Sequence, residues 1–332
     1  MKITMSHGSG GRSTSELISK IFARHFANPI LMRMEDAAVV PSSARIAVTT
    51  DSFVVTPIFF PGGDIGKLAV CGTVNDLAMS GAEPRYLTCG FILEEGLDSD
   101  ILEQVVLSMA EAAHEAGVLI VAGDTKVIEG KGGLMINTTG IGFISDDCSV
   151  PFASSIEDGD RILLSGNLGD HHAAILSARM EIDNEIKSDC APLHHIPEAL
   201  AKAGIKVRAM RDVTRGGLAT VMSEFSLASG NRIELDEKDI PVAATVRAFC
   251  GILGLDPLYM ANEGKMIAVV KAADADQAIS VMRSCRFAQN AAVIGRVAAA
   301  QSGSTPEVHL RTELGGIRVL HELIGEGLPR IC

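Results

Sequence analysis

The chain has 332 residues, enough for two domains rather than one core, and is 47% hydrophobic and 21% charged, as expected of a packed globular protein. Its net charge of -12 and pI near 5.2 argue against nucleic acid or an anionic membrane as the main partner, and the lack of Trp with only two Tyr leaves few platforms for stacking bases. No apolar run reaches bilayer length, the first residues hold no secretory segment, and the seven Cys form no CxxC pair, so a cytoplasmic protein with reduced thiols is expected.

Ser13-Thr14-Ser15-Glu16 reads as a capping box before a helix with Leu17, Ile18, Ile21, Phe22 and Phe26 on one stripe. Arg45 to Thr50 reads as a strand ending at Asp51, and Asp64 as the cap of a helix reaching Met79. Tyr86 to Leu93 is a strand, Asp98 caps an amphipathic helix, Val118 to Ala122 is a strand ending at Gly123-Asp124, and Leu134 to Ile144 is another. The turn-rich stretch from Pro151 to Gly159 suggests a domain boundary. A similar rhythm then restarts, with strands at Arg161 to Leu164, Lys206 to Met210, Lys265 to Lys271 and Val293 to Val297. A helix begins near Arg215-Gly216-Gly217, Gln301 to Pro306 reads as a loop, and Glu307 to Leu323 as a hairpin around Gly315-Gly316. Two blocks of alternating strands and helices favour two α/β or α+β domains.

Several features bear chemistry. His7-Gly8-Ser9-Gly10-Gly11-Arg12 precedes the first helix, and its amides suit phosphate, although a plain flexible loop has the same composition. It is no Walker loop; Gly62-Gly63-Asp64-Ile65-Gly66-Lys67-Leu68 only approaches that pattern, and no GxGxxG follows a strand. Asp36, Asp51, Asp76, Asp124 and Asp212 each stand where an apolar stretch gives way to a turn or helix; converging, they would hold Mg²⁺ together with nucleotide phosphates. Capping is the commoner use of any one of them, but Asp76 sits inside an apolar helical stretch, where a lone carboxylate is costly. Lys67, Lys126 and Arg215 are candidate phosphate partners, and Glu263 in Asn262-Glu263-Gly264 is a candidate base or cap. The pairs His171-His172 and His194-His195 invite a transition-metal reading, but neighbouring histidines point apart and no third ligand has useful spacing. The sequence closes with Pro329-Arg330-Ile331-Cys332, after Gly325 and Gly327. A thiol on such an arm can ferry a bound group, although a chance Cys on a frayed end explains that feature alone.

These residues resemble the HypE family, the carbamoyl dehydratases of NiFe hydrogenase maturation, within the ATP-binding superfamily of aminoimidazole ribonucleotide synthetase, selenophosphate synthetase and thiamine-monophosphate kinase. The resemblance runs through HGSGGR (7–12), EDAAV (35–39), TTDSFVVTPIFFPGGDIGKLAV (49–70), GTVNDLAMSGAEP (72–84), GDTKV (123–127), INTTGIG (136–142), GDH (169–171), DVTRGGLA (212–219), NEGK (262–265) and PRIC (329–332). It departs at His172, where the family has Gly, at Val213, where it has Pro, and at Lys131-Gly132-Gly133, which lacks an Asp.

The resemblance implies a two-domain aminoimidazole ribonucleotide synthetase-like fold of α/β (α+β) class. Residues 1–152 would form an ATP-binding and dimerisation domain with a helix-flanked sheet. Residues 153–305 would form an α+β domain, and 306–332 a segment ending in a mobile PRIC tail. Two N-terminal domains would pair into a barrel-like homodimer. It implies nucleotide contacts from Gly8, Gly10, Gly11, Asp51, Lys67, Asn75, Asp76, Asp124, Arg215 and Gly216, and Mg²⁺ ligands from Asp36, Asp51, Asp76, Asp124 and Asp212. Cys332 would receive a carbamoyl group from HypF. ATP would phosphorylate the carboxamide oxygen, and loss of a proton and of phosphate, with Lys126 and Glu263 as proton relay, would leave a thiocyanate whose cyanide passes to iron on HypC–HypD. A thiol beside its own carboxylate has a raised pKa, which Arg330 would partly offset, while Pro329 and Ile331 would seat the tail in an apolar groove. Two other readings stay open on the residues: a relative that activates a free small amide with ATP, and a non-catalytic carrier or scaffold with a docking tail.

Overall fold

A computed structural model describes residues 2–8, 11–34, 37–146, 148–300, 305–324 and 330–332. It contains two compact units: Met1–Ala78, Ala82–Cys148 and Arg330–Cys332 make up the first, and Met79–Gly81 with Ser149–Pro329 the second.

In the first unit α1 (Gly11–Leu17) runs through a π turn at Ile18–Phe22 into α2 (Ala23–His25). The helix begins two residues before the expected cap at Ser13, yet Leu17, Ile21, Phe22 and Phe26 are all buried, with the Phe22 ring 4.7 Å from that of Phe91. Next come β1 (Arg45–Phe53), the short ribbon β2 (Phe59–Phe60) and β3 (Gly63–Asp64), and α3 (Ile65–Met79). Asp64 caps α3 as expected, accepting from the amides of Gly66 (2.6 Å) and Lys67 (3.1 Å). After β4 (Glu83–Glu94), Asp98 caps α4 (Ser99–Ala116) through the Asp100 amide at 3.2 Å, followed by β5 (Leu119–Ile128) and β6 (Leu134–Ile144).

Among the described residues these strands form a sheet in the order β1-β6-β4-β5. Only β4 and β5 are parallel, joined by the α4 crossover. Two strand ends differ from expectation. β1 runs past Asp51 to Phe53, and β5 past Asp124 to Ile128. A carboxylate on a half-exposed strand face does not stop backbone pairing, and the alternation resumes with Phe53 in one strand and Thr125 and Val127 in the other. One face of the sheet, with Phe53, Leu87, Phe91, Ile136 and Thr138, is buried; the other is open, with Val48 61% and Ile46 53% exposed and Ile92 and Ile128 exposed elsewhere on it.

The second unit contains β7 (Arg161–Leu164), α5 (Asp170–Arg179), α6 (His195–Lys202), β8 (Val207–Asp212), α7 (Gly217–Ser229), β9 (Arg232–Asp236) and α8 (Ala244–Leu253). It continues with β10 (Met266–Val270), α9 (Ala275–Ser284), β11 (Ala292–Ala298), β12 (Val308–Arg311) and β13 (Ile317–Leu320). Its sheet has the order β13-β12-β9-β11-β7-β10-β8, antiparallel except where β12 joins β9. β10 is buried on both faces, and Leu164, Met222, Phe225, Ile267 and Ile294 share one core. The closing hairpin turns at Gly315 (φ 85°), as expected. Among the described residues no helix is long and apolar enough to cross a membrane.

α3 and α4 approach closely at Gly66, where an added methyl would lie 2.3 Å from the Val105 carbonyl oxygen and 2.9 Å from Met109 Cγ. Gly66→Ala is therefore expected to destabilise the protein by about 1–3 kcal/mol. Urea unfolding checks this: the midpoint falls while the slope stays unchanged.

Candidate active site

The first unit places carboxylates along the seam between β1 and α3. Thr49 Oγ1 donates to Asp76 Oδ2 at 2.7 Å, which gives the carboxylate inside this apolar helix a partner and turns it toward β1. Asp51, half-buried, lies two residues further along the same strand face. Next on that face is Phe53, whose ring packs over Gly72, one helical turn before Asp76. Asp51 thus sits between the Thr49–Asp76 pair and the Phe53–Gly72 contact. Asn75, beside Asp76, is buried.

Directly after β1 the chain meets its own last residues. The amide of Val54 donates to the backbone oxygen of Cys332 at 3.2 Å, and that of Thr56 to the Arg330 carbonyl at 3.1 Å. The register is antiparallel and sets Ile331, 3% exposed, opposite Val55, 2% exposed. Cys332 itself is half-buried. The amides of Lys131 and Gly133 hold the Glu94 carboxyl below its usual range, and the charge of Arg330 adds to the effect.

Other expected members stand apart. Asp124 and Lys126 are exposed and ion-paired with each other at 3.2 Å. They project from the open face of β5, whereas Asp51 and Asp76 belong to the covered face near β1, at the opposite edge. The expected convergence of Asp51, Asp76 and Asp124 is therefore not met within this unit, because strand alternation fixes the side each takes. Lys67 precedes Asp76 by nine residues, about 13 Å along α3 and half a turn round it, and its ammonium bonds the Gly62 carbonyl at 3.1 Å. Gly8 ends a 3₁₀ turn and Gly11 opens α1; Gly10, Asp36 and the 325–329 part of the tail lie outside the described residues. Thr14 of α1, with Phe22, Phe26 and Gly123, helps line a largely apolar cavity of about 250 Å³.

Among the described residues no group of three or more His, Cys, Asp or Glu is assembled around a metal position. Asp51 and Asp76 nevertheless fit Mg²⁺, which takes one or two carboxylates and completes its shell with phosphate and water. Asp212 belongs to the second unit.

In the second unit Asp212 ends β8 opposite Met266. The amide of Val213 donates to the Lys265 carbonyl at 2.9 Å, a bond that a proline there would lack, and the Val213 carbonyl accepts from Asn262 N (3.1 Å) and Nδ2 (2.9 Å). Asn262 Oδ1 accepts the Gly169 amide at 2.8 Å, just before α5. Glu263 and Gly264 donate their amides to Asp189 Oδ1 (3.0 Å) and Oδ2 (3.2 Å), and Lys265 Nζ reaches Asp189 Oδ2 at 3.0 Å. These ion-pair side chains are only 3% (Asp189) and 9% (Lys265) exposed. A side chain at Gly264 would meet the Asp189 carbonyl oxygen at 1.8 Å, so glycine alone fits. Arg215, exposed, precedes Gly216 (φ 81°), which caps α7.

Burial pushes the Glu263 carboxyl well above its usual range; Cys190, Asp212 and Asp189 add to this and Arg215 opposes it. Burial also favours a protonated Asp189, but the Lys265 ammonium, His171 and the Glu263 amide outweigh it and hold the pKa below normal. Burial and the charge of Asp189 raise Asp170 to about 6, with Lys265 opposing. His172 is lowered to about 4 by burial, then by His171 and Arg179; its amide donates to the Ala261 carbonyl at 3.2 Å. The metal reading of the histidine pairs gains no support: His171 Nδ1 bonds Ser188 Oγ (2.8 Å) and His195 Nε2 the Arg286 carbonyl (2.8 Å). The sequence did not reveal Asp189 or Lys265 as site residues, since they meet across 76 positions and neither lies in a local pattern that announces the other.

The family described as AIR synthase related protein matches this chain in both parts, the N-terminal domain over residues 34–144 and the C-terminal domain over 157–306. The carbamoyl dehydratase HypE of Cupriavidus necator is 49% identical over 337 residues, covering 100% of this chain and 95% of that protein. The chain belongs to the HypE family. The HypE of Escherichia coli is 46% identical over 341 residues, covering 99% of each chain. A crystal structure of the hydrogenase maturation protein HypE in complex with ATP superposes with a TM-score of 0.95 at 48% identity, covering 99% of each chain. A HypE from a HypE–HypF complex gives 0.80 at 44% identity, covering 92% of this chain and 99% of that one. The expected mixed α/β fold with two AIR synthase-like domains is thus the observed one.

The raised Asp170 pKa has a stability consequence. Between its ordinary 3.8 and about 6 the folded state binds more protons than the unfolded state, so this group's contribution is full below that window and is lost as pH rises through about 6. Asp170→Asn removes that slope. Melting temperatures of the two proteins are expected to separate in favour of the variant as pH rises from about 4 to 7.

Proposed function

We propose that the protein is an ATP-dependent carbamoyl dehydratase that converts a carbamoyl group on Cys332 into an S-bound thiocyanate, the source of the cyanide ligand of the NiFe hydrogenase iron. The observation that carries this reading is the antiparallel seating of Arg330–Cys332 on residues 54–56. It holds the sulfur-bearing residue at Val54, three residues along the chain from Asp51. A HypE that binds ATP shares the fold over nearly its full length, which supports the seam as the phosphate end of an ATP site.

The chemistry balances as follows. The carboxamide oxygen attacks the γ-phosphorus; an O–P bond forms, the bond to the β–γ bridging oxygen breaks, and ADP leaves. One N–H proton departs, giving an S-bound imidate phosphate. Loss of the second N–H proton forms the C≡N bond while the C–O pair leaves with phosphate. The amide oxygen is a poor leaving group until it carries phosphate, so the protein's task is alignment, charge neutralisation and proton removal. Mg²⁺ held by Asp51 and Asp76 would supply neutralisation of phosphate charge. Glu263, whose environment strengthens its hold on a proton, is the candidate base, with Lys126 as second member of the relay. Asp124, Asp212, Arg215 and Gly216 are kept as nucleotide-side candidates.

HypF is the proposed carbamoyl donor, supported by the HypE relative solved with HypF, and HypC–HypD the proposed acceptor. The cytoplasm is the proposed compartment. The apolar side chains exposed on the open face of the first sheet, Ile46 and Val48 among them, support a homodimer.

Carbamoyl-loaded protein given ATP and Mg²⁺ is expected to lose one water, about 18 Da, from Cys332 by mass spectrometry. Cys332→Ala should neither load nor dehydrate, and Glu263→Gln should slow dehydration about 100-fold or more. ADP release from free amides without a loaded tail would point to a small-amide enzyme instead. Val48→Glu on the open face is expected to shift the protein from dimer to monomer in sedimentation velocity.

A further inference from the structure

We propose that Asp189 is a positioning residue for Glu263, acting through the Glu263 backbone; this rests on the reading of Glu263 as the base. Both polar backbone groups of Glu263 are held by one short segment. Its amide donates to Asp189 Oδ1 at 3.0 Å, and its carbonyl accepts the Ala191 amide at 3.3 Å. The other carboxylate oxygen of Asp189 takes the Gly264 amide at 3.2 Å, so two consecutive peptides are fixed by one side chain. The fit leaves no slack, because Gly264 is pressed against the Asp189 carbonyl where any Cβ would collide.

Lys265 completes the arrangement. Its ammonium bonds both Asp189 Oδ2 (3.0 Å) and the Gly264 carbonyl (3.1 Å), compensating the buried carboxylate. Upstream, Asn262 is tied to Val213, Met260 and Gly169. The buried Glu263 side chain therefore leaves a backbone gripped on both sides, with Asp189 the only carboxylate in the grip among the described residues. A carboxylate used as a base depends on this, since a shift of about 1 Å at the reacting group costs about 100-fold in rate. Asparagine at 189 accepts through one oxygen only, cannot serve both amides, and loses the ionic partner of Lys265.

The test measures ATP-dependent dehydration of carbamoyl-loaded full-length protein for Asp189→Asn, Glu263→Gln and the combined variant. Asp189→Asn is expected to lower kcat about 10- to 100-fold while the KM for ATP stays within about twofold. In the combined variant the loss should equal that of Glu263→Gln alone, since a residue acting through Glu263 has nothing left to position. Asp189→Asn with Lys265→Gln leaves no lone buried charge and serves where the single variant fails to fold; the same loss is expected. Unchanged kcat in Asp189→Asn, or losses that multiply in the combined variant, would overturn the proposal. Failure of both Asp189 variants to fold would also overturn it, making Asp189 a structural residue. Full activity in Glu263→Gln alone would instead remove the base reading and the proposal with it.

Discussion

Two backbone hydrogen bonds, from the amides of Val54 and Thr56 to the backbone oxygens of Cys332 and Arg330, set the terms for the rest of the first unit. They hold the end of the chain against the segment that leaves β1. Such a backbone attachment needs little from the side chains beyond one anchor, and the buried Ile331 opposite Val55 supplies it. Such an attachment is specific yet small, a few kcal/mol at most when each net hydrogen bond contributes about 1 kcal/mol. Asp51 is held more firmly than a turn residue would be. It sits inside a paired strand, on the face turned to α3, and the strand fixes its direction.

The second unit solves a different problem, that of keeping carboxylates in a dry place. Asp189 stays charged because an ammonium and two amides replace its water. Glu263, buried a few atoms away from such a charge, is pushed toward its protonated form. Burial thus sets two neighbouring carboxyls apart, one ionised and one with a strengthened hold on a proton. Val213 and His172 are both tied into this framework. The Val213 amide gains a bond that proline lacks, and His172, neutral at ordinary pH, ties its amide to Ala261.

Much of the fold was legible. The capping aspartates Asp64 and Asp98, the strand Leu134–Ile144 and the final hairpin stand where local chemistry puts them. β9 (Arg232–Asp236) was not, because only Ile233 and Leu235 are apolar and its strand form depends on pairing with β11 and β12. Strand ends at Asp51 and Asp124 were read as turns because carboxylates usually mark turns. The ladder hydrogen bonds of their neighbours carry each strand past that local preference. The Asp76 carboxylate was singled out as costly inside an apolar helix, and Thr49 is the partner that relieves it.

The sequence by itself determined the two-block architecture, the family, and the residue types able to hold phosphate, a hard cation and a thiol-borne group. Spacing within a motif is a local property and survives in one dimension. Only the tertiary structure decided which of those residues share a place. Strand alternation sends Asp51 and Asp124 to opposite faces, and helix period separates Lys67 from Asp76. Asp189 and Lys265 become a buried pair only when positions 76 apart are folded together. Ion pairs and clefts depend on distance through space, and distance along the chain does not encode it.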